Sequence, residues 1–228
     1  MADAERFPAG MTGSREPAGF VWRRLALVGA IAGALALGWT IRGAGLGRAA
    51  SDGSGPGLTG QLLVATDELR DPRFVHTVIY MVRHDAGGAM GLVVNRAVGQ
   101  VTFRELLDHL GTDSAGVRGE LRLHYGGPVD GTRGFVLHTS DYTIEGTQVV
   151  ADGIALTSQP EILRAMGTGA GPRLTLFALG YAGWAAGQLE AEIKAGYWIG
   201  VPADEELVFG NETDKKWDRA MARRMFTL

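Results

Sequence analysis

The stretch from Leu174 to Ile193, LTLFALGYAGWAAGQLEAEI, constrains this chain more than any other. Its continuous apolar start reads as a buried strand, its glycines and aromatic pair as a turn, and its end as a short helix. A helix that starts just past a strand end points unpaired backbone N–H groups at whatever lies there. Gly180, Gly183 and Gly187 frame Tyr181 and Trp184, while Gln188 and Glu192 fall one turn apart on one helix face. Two readings are open. The aromatics floor a pocket at the helix start, or the glycines permit close packing and Glu192 bonds a buried partner. Leu189 and Ile193 need a core to face under either one.

The flanking sequence alternates strands and helices irregularly. Leu58 to Ala65 and Phe74 to His84 read as strands, the second with apolar residues on both faces: Val75, Ile79 and Met81 on one, Val78, Tyr80 and Val82 on the other. The turn Asp85–Ala86–Gly87–Gly88 returns the chain into Ala89 to Asn95 as a hairpin. Thr102 and Glu105 form a capping box ahead of Phe103, Leu106, Leu107 and Leu110, a helix that Gly111 ends. Strands are expected at Leu121 to Tyr125, Arg133 to Thr139 and, as two pieces broken near Asp152–Gly153, Thr143 to Leu156. Ser158 and Glu161 repeat the capping-box pattern for a helix stopped by Gly167. Tyr197 to Val201 and Glu206 to Phe209 read as strands, and a helix from about Asp214 puts Trp217, Ala220, Met221 and Met225 on one face. Such an order predicts one α+β domain with a mixed sheet, not a doubly wound parallel one.

That domain spans residues 58–228 and is acidic, with 16 Lys and Arg against 21 Asp and Glu, a net −5. Nucleic-acid binders attract a phosphate backbone with basic surface, so direct nucleic-acid binding is disfavoured. Arg outnumbers Lys 19 to 3, which reads as genome composition before recognition chemistry. The absence of cysteine rules out disulfides, thiolate nucleophiles and cysteine-ligated metal.

Residues 1–57 differ in character, with six Arg against four carboxylates, a net +2. After a flank over 1–24, residues 25–41 form an uncharged apolar run between Arg23–Arg24 and Arg42, at the short end of a membrane-spanning length. Five Ala and three Gly dilute its Leu, Ile and Val, and Gly29 and Gly33 make a GxxxG pair. Three readings are open: a signal anchor tethering the protein to the inner membrane, a cleaved signal peptide, and an early start outside the working protein. Residues 42–57 read as a Gly-rich linker.

Candidate chemistry is sparse. His76, His84, His109, His124 and His138 lack the HExxH or His-x3–5-His spacing of a metal site, so no metal is expected. His76 and His84, on one face of the predicted strand, would stand about 26 Å apart at strand rise. No P-loop, GxGxxG or GxSxG elbow occurs, and no cofactor is expected. His138, at a strand end, could act as a general base or be bonded to backbone. Gly126–Gly127–Pro128 is either a small anion-binding nest or a tight turn.

The segments LTGQLLVAT, DPRFVHTVIYMVRHDAGGAMGLVVNR, HYGGPVDGTRGFVLH, ALGYAGWAAGQLEAEI and YWIGVPADEELVF, in that order, resemble the YqgE/AlgH family of bacterial proteins over about residues 58–226. The resemblance implies an α+β fold with mixed, partly barrel-like sheets, a small cytosolic protein and no established catalytic residues. Some members carry a transcriptional-regulator label. Its motif positions here are Asn95, Gly126, Gly127, Pro128, His138, Tyr181, Trp184, Gln188 and Glu192, taken as candidate ligand-binding residues. Two departures stand out: members usually begin near residue 58, and Thr66 stands where they usually carry methionine followed by proline. The leading expectation is a non-enzymatic binding or regulatory module with a small-ligand or protein partner. The alternatives are an enzyme using His138 and Glu192 as acid and base, and a membrane-tethered envelope protein.

Overall fold

Residues 57–151 and 153–223 are described by a computed structural model. The flank, apolar run and most of the linker expected over residues 1–56, and Met225 of the last helix, lie outside the described residues. In chain order the elements are β1 (Leu62–Ala65), β2 (Val78–Asp85), β3 (Gly88–Val93), β4 (Ala97–Thr102), α1 (Phe103–His109), β5 (Glu120–Tyr125) and β6 (Val129–Thr139). There follow β7 (Gln148–Ala151), β8 (Ile154–Thr157), α2 (Glu161–Thr168), β9 (Thr175–Ala185), α3 (Gln188–Lys194) and β10 (Trp198–Val201). The chain continues through α4 (Glu205–Phe209), a 3-10 turn (Thr213–Lys215) and α5 (Lys216–Arg223).

The strands form a curled half-barrel in the order β10-β1-β2-β3-β9-β6-β8-β7, each neighbour antiparallel. β5 lies parallel to β9 and carries β4 on its outer side, which makes the sheet mixed. β9 is the hub. Its first half pairs with β5 on one side and β6 on the other, with Leu123 opposite Phe177 and Val136 opposite Phe177. Its second half pairs with β3, Gly91 opposite Ala182 and Gly88 opposite Ala185. The handover from β5 to β3 occurs at Gly126, whose N–H donates to Leu179 O and whose carbonyl accepts from Val93 N–H, each near 2.9 Å.

Alternation along β2 and β1 feeds two cores, as side chains on a strand point to opposite faces. Leu62, Val64, Val78, Tyr80 and Val82 pack with Leu207 and Val208 of α4 and Ala220 of α5. Leu63, Ile79, Met81 and Val93 pack on the other face with Ala182, Trp184, Leu189 and Trp198. The two-sided burial expected for β2 is therefore present, with Val75 excepted: Phe74 to His76 form turns, and His76 takes a left-handed φ of 52°.

Several local expectations are corrected. The glycines of 174–193 are not a turn, because Gly180 and Gly183 lie inside β9 and only Ala186–Gly187 reverse the chain. Glu206 to Phe209 belong to a helix, whose start Asp204 caps by accepting from Leu207 N–H at 2.8 Å. A run as short as Leu207–Val208–Phe209 carries no period of its own, so the cap decided. The Ser158–Glu161 box does not form; α2 follows Pro160, and Gly169 rather than Gly167 ends it with a φ of 78°. Gly167 instead lets the helix approach Val117 and Phe103. β4, with Val101 its one fully buried side chain, was not anticipated. The Thr102–Glu105 box is present with both reciprocal bonds.

The first residue of α5 carries an unusual burden. Lys216 is 1% exposed, and its ammonium donates to Val94 O at 3.0 Å and Val208 O at 2.7 Å. Burial pulls its pKa down to about 8. His124 of β5, bonded through Nδ1 to Phe177 O at 3.2 Å, is held down to about 4 by its own burial, with the Lys216 charge adding to the effect. A histidine whose folded pKa lies below its unfolded value stabilises the fold above the unfolded pKa and loses that contribution as pH falls through the folded one. Between about pH 6.5 and pH 4 the loss should reach about 3 kcal/mol. Urea unfolding of the protein and of His124→Gln across that window measures it. The stability gap between the two should change by about this amount towards acid pH; a gap that stays constant contradicts the assignment.

Candidate functional site

The sequence-derived candidates fall in three places. At the first, Trp184 ends the buried part of β9, and Gln188 and Glu192 project from α3 beside it. Glu192 Oε2 accepts from Trp184 Nε1 at 2.9 Å and from Trp198 Nε1 at 2.8 Å, while Oε1 accepts from Gln188 Nε2 at 2.9 Å. Gln188 Oε1 in turn accepts from Ala185 N–H at 3.1 Å. The two indoles meet edge to face at 5.9 Å, and Phe74 meets Trp198 likewise at 5.7 Å. The carboxylate therefore ties α3 to β9 and β10, with Oε2 taken up by both indoles. Of the two readings of this corner, the geometry matches close packing with a bonded Glu192.

At the second place, Gly126 and Gly127 cross directly over Gly180 and Tyr181. A Cβ on Gly126 would stand 2.2 Å from Gly180 O, and one on Gly127 2.1 Å from the Tyr181 carbonyl carbon. Gly180 needs its φ of 71°, and a Cβ there would meet Gly127 O at 2.6 Å. Pro128 is exposed just beyond the crossing, and Tyr181 packs edge-on to Phe135 at 6.0 Å. Asn95 lies at the neighbouring end of β3. Its Oδ1 accepts from Val78 N–H at 2.9 Å and its Nδ2 donates to His76 O at 2.8 Å, which pins the 71–77 loop to the sheet.

His138 occupies the third place, fully buried in β6. Its Nδ1 contacts Thr139 O at 2.8 Å and its Nε2 the Thr157 hydroxyl at 2.9 Å, with Thr147 Oγ1 a further 2.8 Å on. Burial lowers its pKa, the bond to Thr139 opposing. It stands opposite Thr175, whereas Glu192 is bonded to Trp184 nine residues further along β9, about 30 Å measured along the strand. The two groups do not converge.

Sequence reasoning did not single out the polar cluster beside Asn95. Arg96 Nη2 donates to Val75 O at 2.8 Å and to Thr77 Oγ1 at 2.9 Å, and Arg96 O accepts from Tyr125 N–H. Both side chains are half-buried. Burial depresses the Arg96 pKa, and it raises that of Tyr125, which the charges of Arg96 and Arg73 oppose. Arg73 holds Asp71 through Nε and Nη2, the shortest contact 2.7 Å. A charged residue closing the apolar run GLVV was the available signal for Arg96. The His76 ring lies 4.1 Å from that of Trp217, whose Nε1 donates to Ala65 O at 2.7 Å. Among the described residues no three His, Asp or Glu side chains gather as a metal site.

A β9-centred half-barrel joined by a glycine crossing defines a class of α+β proteins that comparison identifies. The AlgH-like family profile (DUF179) matches residues 62–227, and the chain belongs to that family. A UPF0301 protein of Rhodospirillum rubrum is 48% identical over 166 residues, which cover 73% of this chain and 86% of that one. One from Methylobacterium nodulans is 47% identical over 173 residues, 72% and 82% of the two chains. The solution structure of AlgH from Pseudomonas aeruginosa superposes with a TM-score of 0.65 at 36% identity, covering 77% of this chain and 93% of that one. A crystal structure from Corynebacterium diphtheriae shares the fold, at a TM-score of 0.57 and 20% identity over 76% and 90% of the chains. Among the described residues no helix is long and apolar enough to cross a membrane.

The corner makes a direct prediction. Glu192→Ala strands two buried indole N–H groups and should cost about 2–4 kcal/mol. Glu192→Gln keeps an oxygen for both indoles and should cost roughly half or less. Urea midpoints followed by tryptophan fluorescence decide; an alanine variant as stable as the parent would remove the structural role.

Proposed function

We propose that the protein is a non-enzymatic binding or regulatory module that recognises a small ligand or a protein partner. The observation that carries this reading is that both acid–base candidates are engaged in hydrogen bonds within the fold. Glu192 is taken up by two indoles and an amide, and His138 by a carbonyl and a hydroxyl. A general acid or base must reach the proton it transfers, directly or through one water. The two groups stand beside opposite ends of β9, which speaks against their acting as a pair. The net −5 of residues 58–228 speaks against direct DNA binding, so regulation through a ligand or partner suits the domain better than promoter contact. A cytoplasmic placement follows the family resemblance. The apolar run at 25–41, between arginines, supports the second placement, a tether to the inner membrane.

Thermal unfolding of the full chain against a metabolite panel tests the module. A ligand that binds the folded state alone raises the unfolding temperature in a saturable way. The expected result is one chemical class that does so and is recovered unchanged after incubation. Turnover of that ligand, or a salt-dependent and sequence-selective DNA shift, would overturn the reading.

A further inference from the structure

The donors beside Asn95 are arranged in a way the fold does not use. Arg96 spends one terminal nitrogen, Nη2, on both Val75 O and Thr77 Oγ1. Its Nε and Nη1 make no hydrogen bond within the described residues, and no carboxylate there pairs with it. A guanidinium has five N–H donors in a rigid fork that matches carboxylate and phosphate oxygens. Half-buried cations without a counter-charge are costly. The Tyr125 hydroxyl likewise has no partner among the described residues. Its backbone N–H is bonded to Arg96 O, so the two side chains start from adjacent backbone segments. Arg73 stands near enough for its charge to act on the Tyr125 phenol, and its Nη1 is left over after Asp71 takes Nε and Nη2. Two carboxylates lie at this loop: Asp71, paired with Arg73, and Asp67, 3.7 Å from His76 Nε2.

The frame around these donors is fixed from several sides. Asn95 ties His76 O and Val78 N–H to β3, and Arg96 itself ties Val75 and Thr77. His76 is held in a left-handed conformation with its ring against Trp217. Non-glycine residues at positive φ cost energy and persist where the surroundings over-determine them, often around ligands. A loop locked in this way presents its donors without further ordering, which favours binding.

We propose that Arg96, Tyr125 and Arg73 form a binding site for a small oxyanion, a carboxylate or phosphate group, at the junction of the 71–77 loop with the ends of β3 and β5. This deepens the binding-module reading and rests on it. Arg96 supplies the charged fork through Nε and Nη1, Tyr125 adds a hydroxyl donor, and Arg73 adds a second positive charge at the rim. The locked loop sets the spacing.

The test uses the full chain at neutral pH in sodium phosphate, sodium acetate and sodium chloride of matched ionic strength, with the unfolding temperature as readout. Phosphate or acetate should raise it saturably beyond chloride, and the better of the two tells a tetrahedral from a planar anion. Tyr125→Phe removes no internal hydrogen bond and should weaken affinity about tenfold. Arg96→Gln should abolish the effect; because it also frees Val75 and Thr77, the phenylalanine variant guards against a mere folding defect. No shift beyond chloride, or an equal shift in both variants, overturns the site. If a panel metabolite binds and both variants keep its affinity, the oxyanion site falls while the binding module stands. If no metabolite binds either, the oxyanion site and the small-ligand form of the module fall together.

Discussion

Two backbones that nearly touch hold this fold together. Where Gly126 and Gly127 cross Gly180 and Tyr181, no side chain could stand between the strands; even one Cβ would sit 2.1–2.6 Å from a peptide atom. Heavy atoms do not approach that closely, so any larger residue forces β5 and β9 apart. The approach lets β9 bond to β5 and β6 over its first half and to β3 over its second. Gly180, at a φ of 71°, supplies the bend that redirects the strand between those partners. Without it the half-barrel would divide into two sheets, one led by β3 and one by β6. The 71–77 loop and Arg96 sit beside this junction, so their geometry is inherited from it.

The interior polar groups follow one pattern. Glu192, His138, His124 and Lys216 are each bonded within the protein to a residue of another element, for His124 and Lys216 one distant in sequence. Buried polar atoms must be paired or they cost stability, and pairing across elements gives each contact a role in holding those elements together. Lys216 fastens the last helix to β3 and α4, and Glu192 fastens α3 to β9 and β10. Groups that draw attention as acid–base candidates in the sequence also fasten elements together in the structure. Arg96, Arg73 and Tyr125 lie nearer the surface.

Much of the architecture was legible in the residues. The hairpin at 85–88, the Thr102–Glu105 cap and the two-faced β2 each express a local rule strong enough to survive packing. The family resemblance supplied the barrel-like curl, which no periodicity reveals. The misreadings share a cause. Gly180 and Gly183 looked like a turn because glycine marks both turns and close backbone approach, and only the crossing partner tells them apart. Glu206 to Phe209 were too short for their period to speak. Of the candidate residues, Trp184, Gln188 and Glu192 do meet, yet their network depends on Trp198 from another strand. Arg96 and Tyr125 went unremarked because their meeting depends on β3 and β5 being brought together, which is long-range information.

The glycine crossing makes β9 a single strand that joins both parts of the sheet. Native-state hydrogen exchange measures this most directly, because amides that open together share one opening free energy and one denaturant dependence. Amides of Phe177 to Leu179, which face β5 and β6, should exchange with the same free energy and denaturant slope as those of Ala182 to Trp184, which face β3. Both sets should match global unfolding. If the second set opens at lower free energy and with a shallower slope, the two halves of β9 are separate units and the account fails.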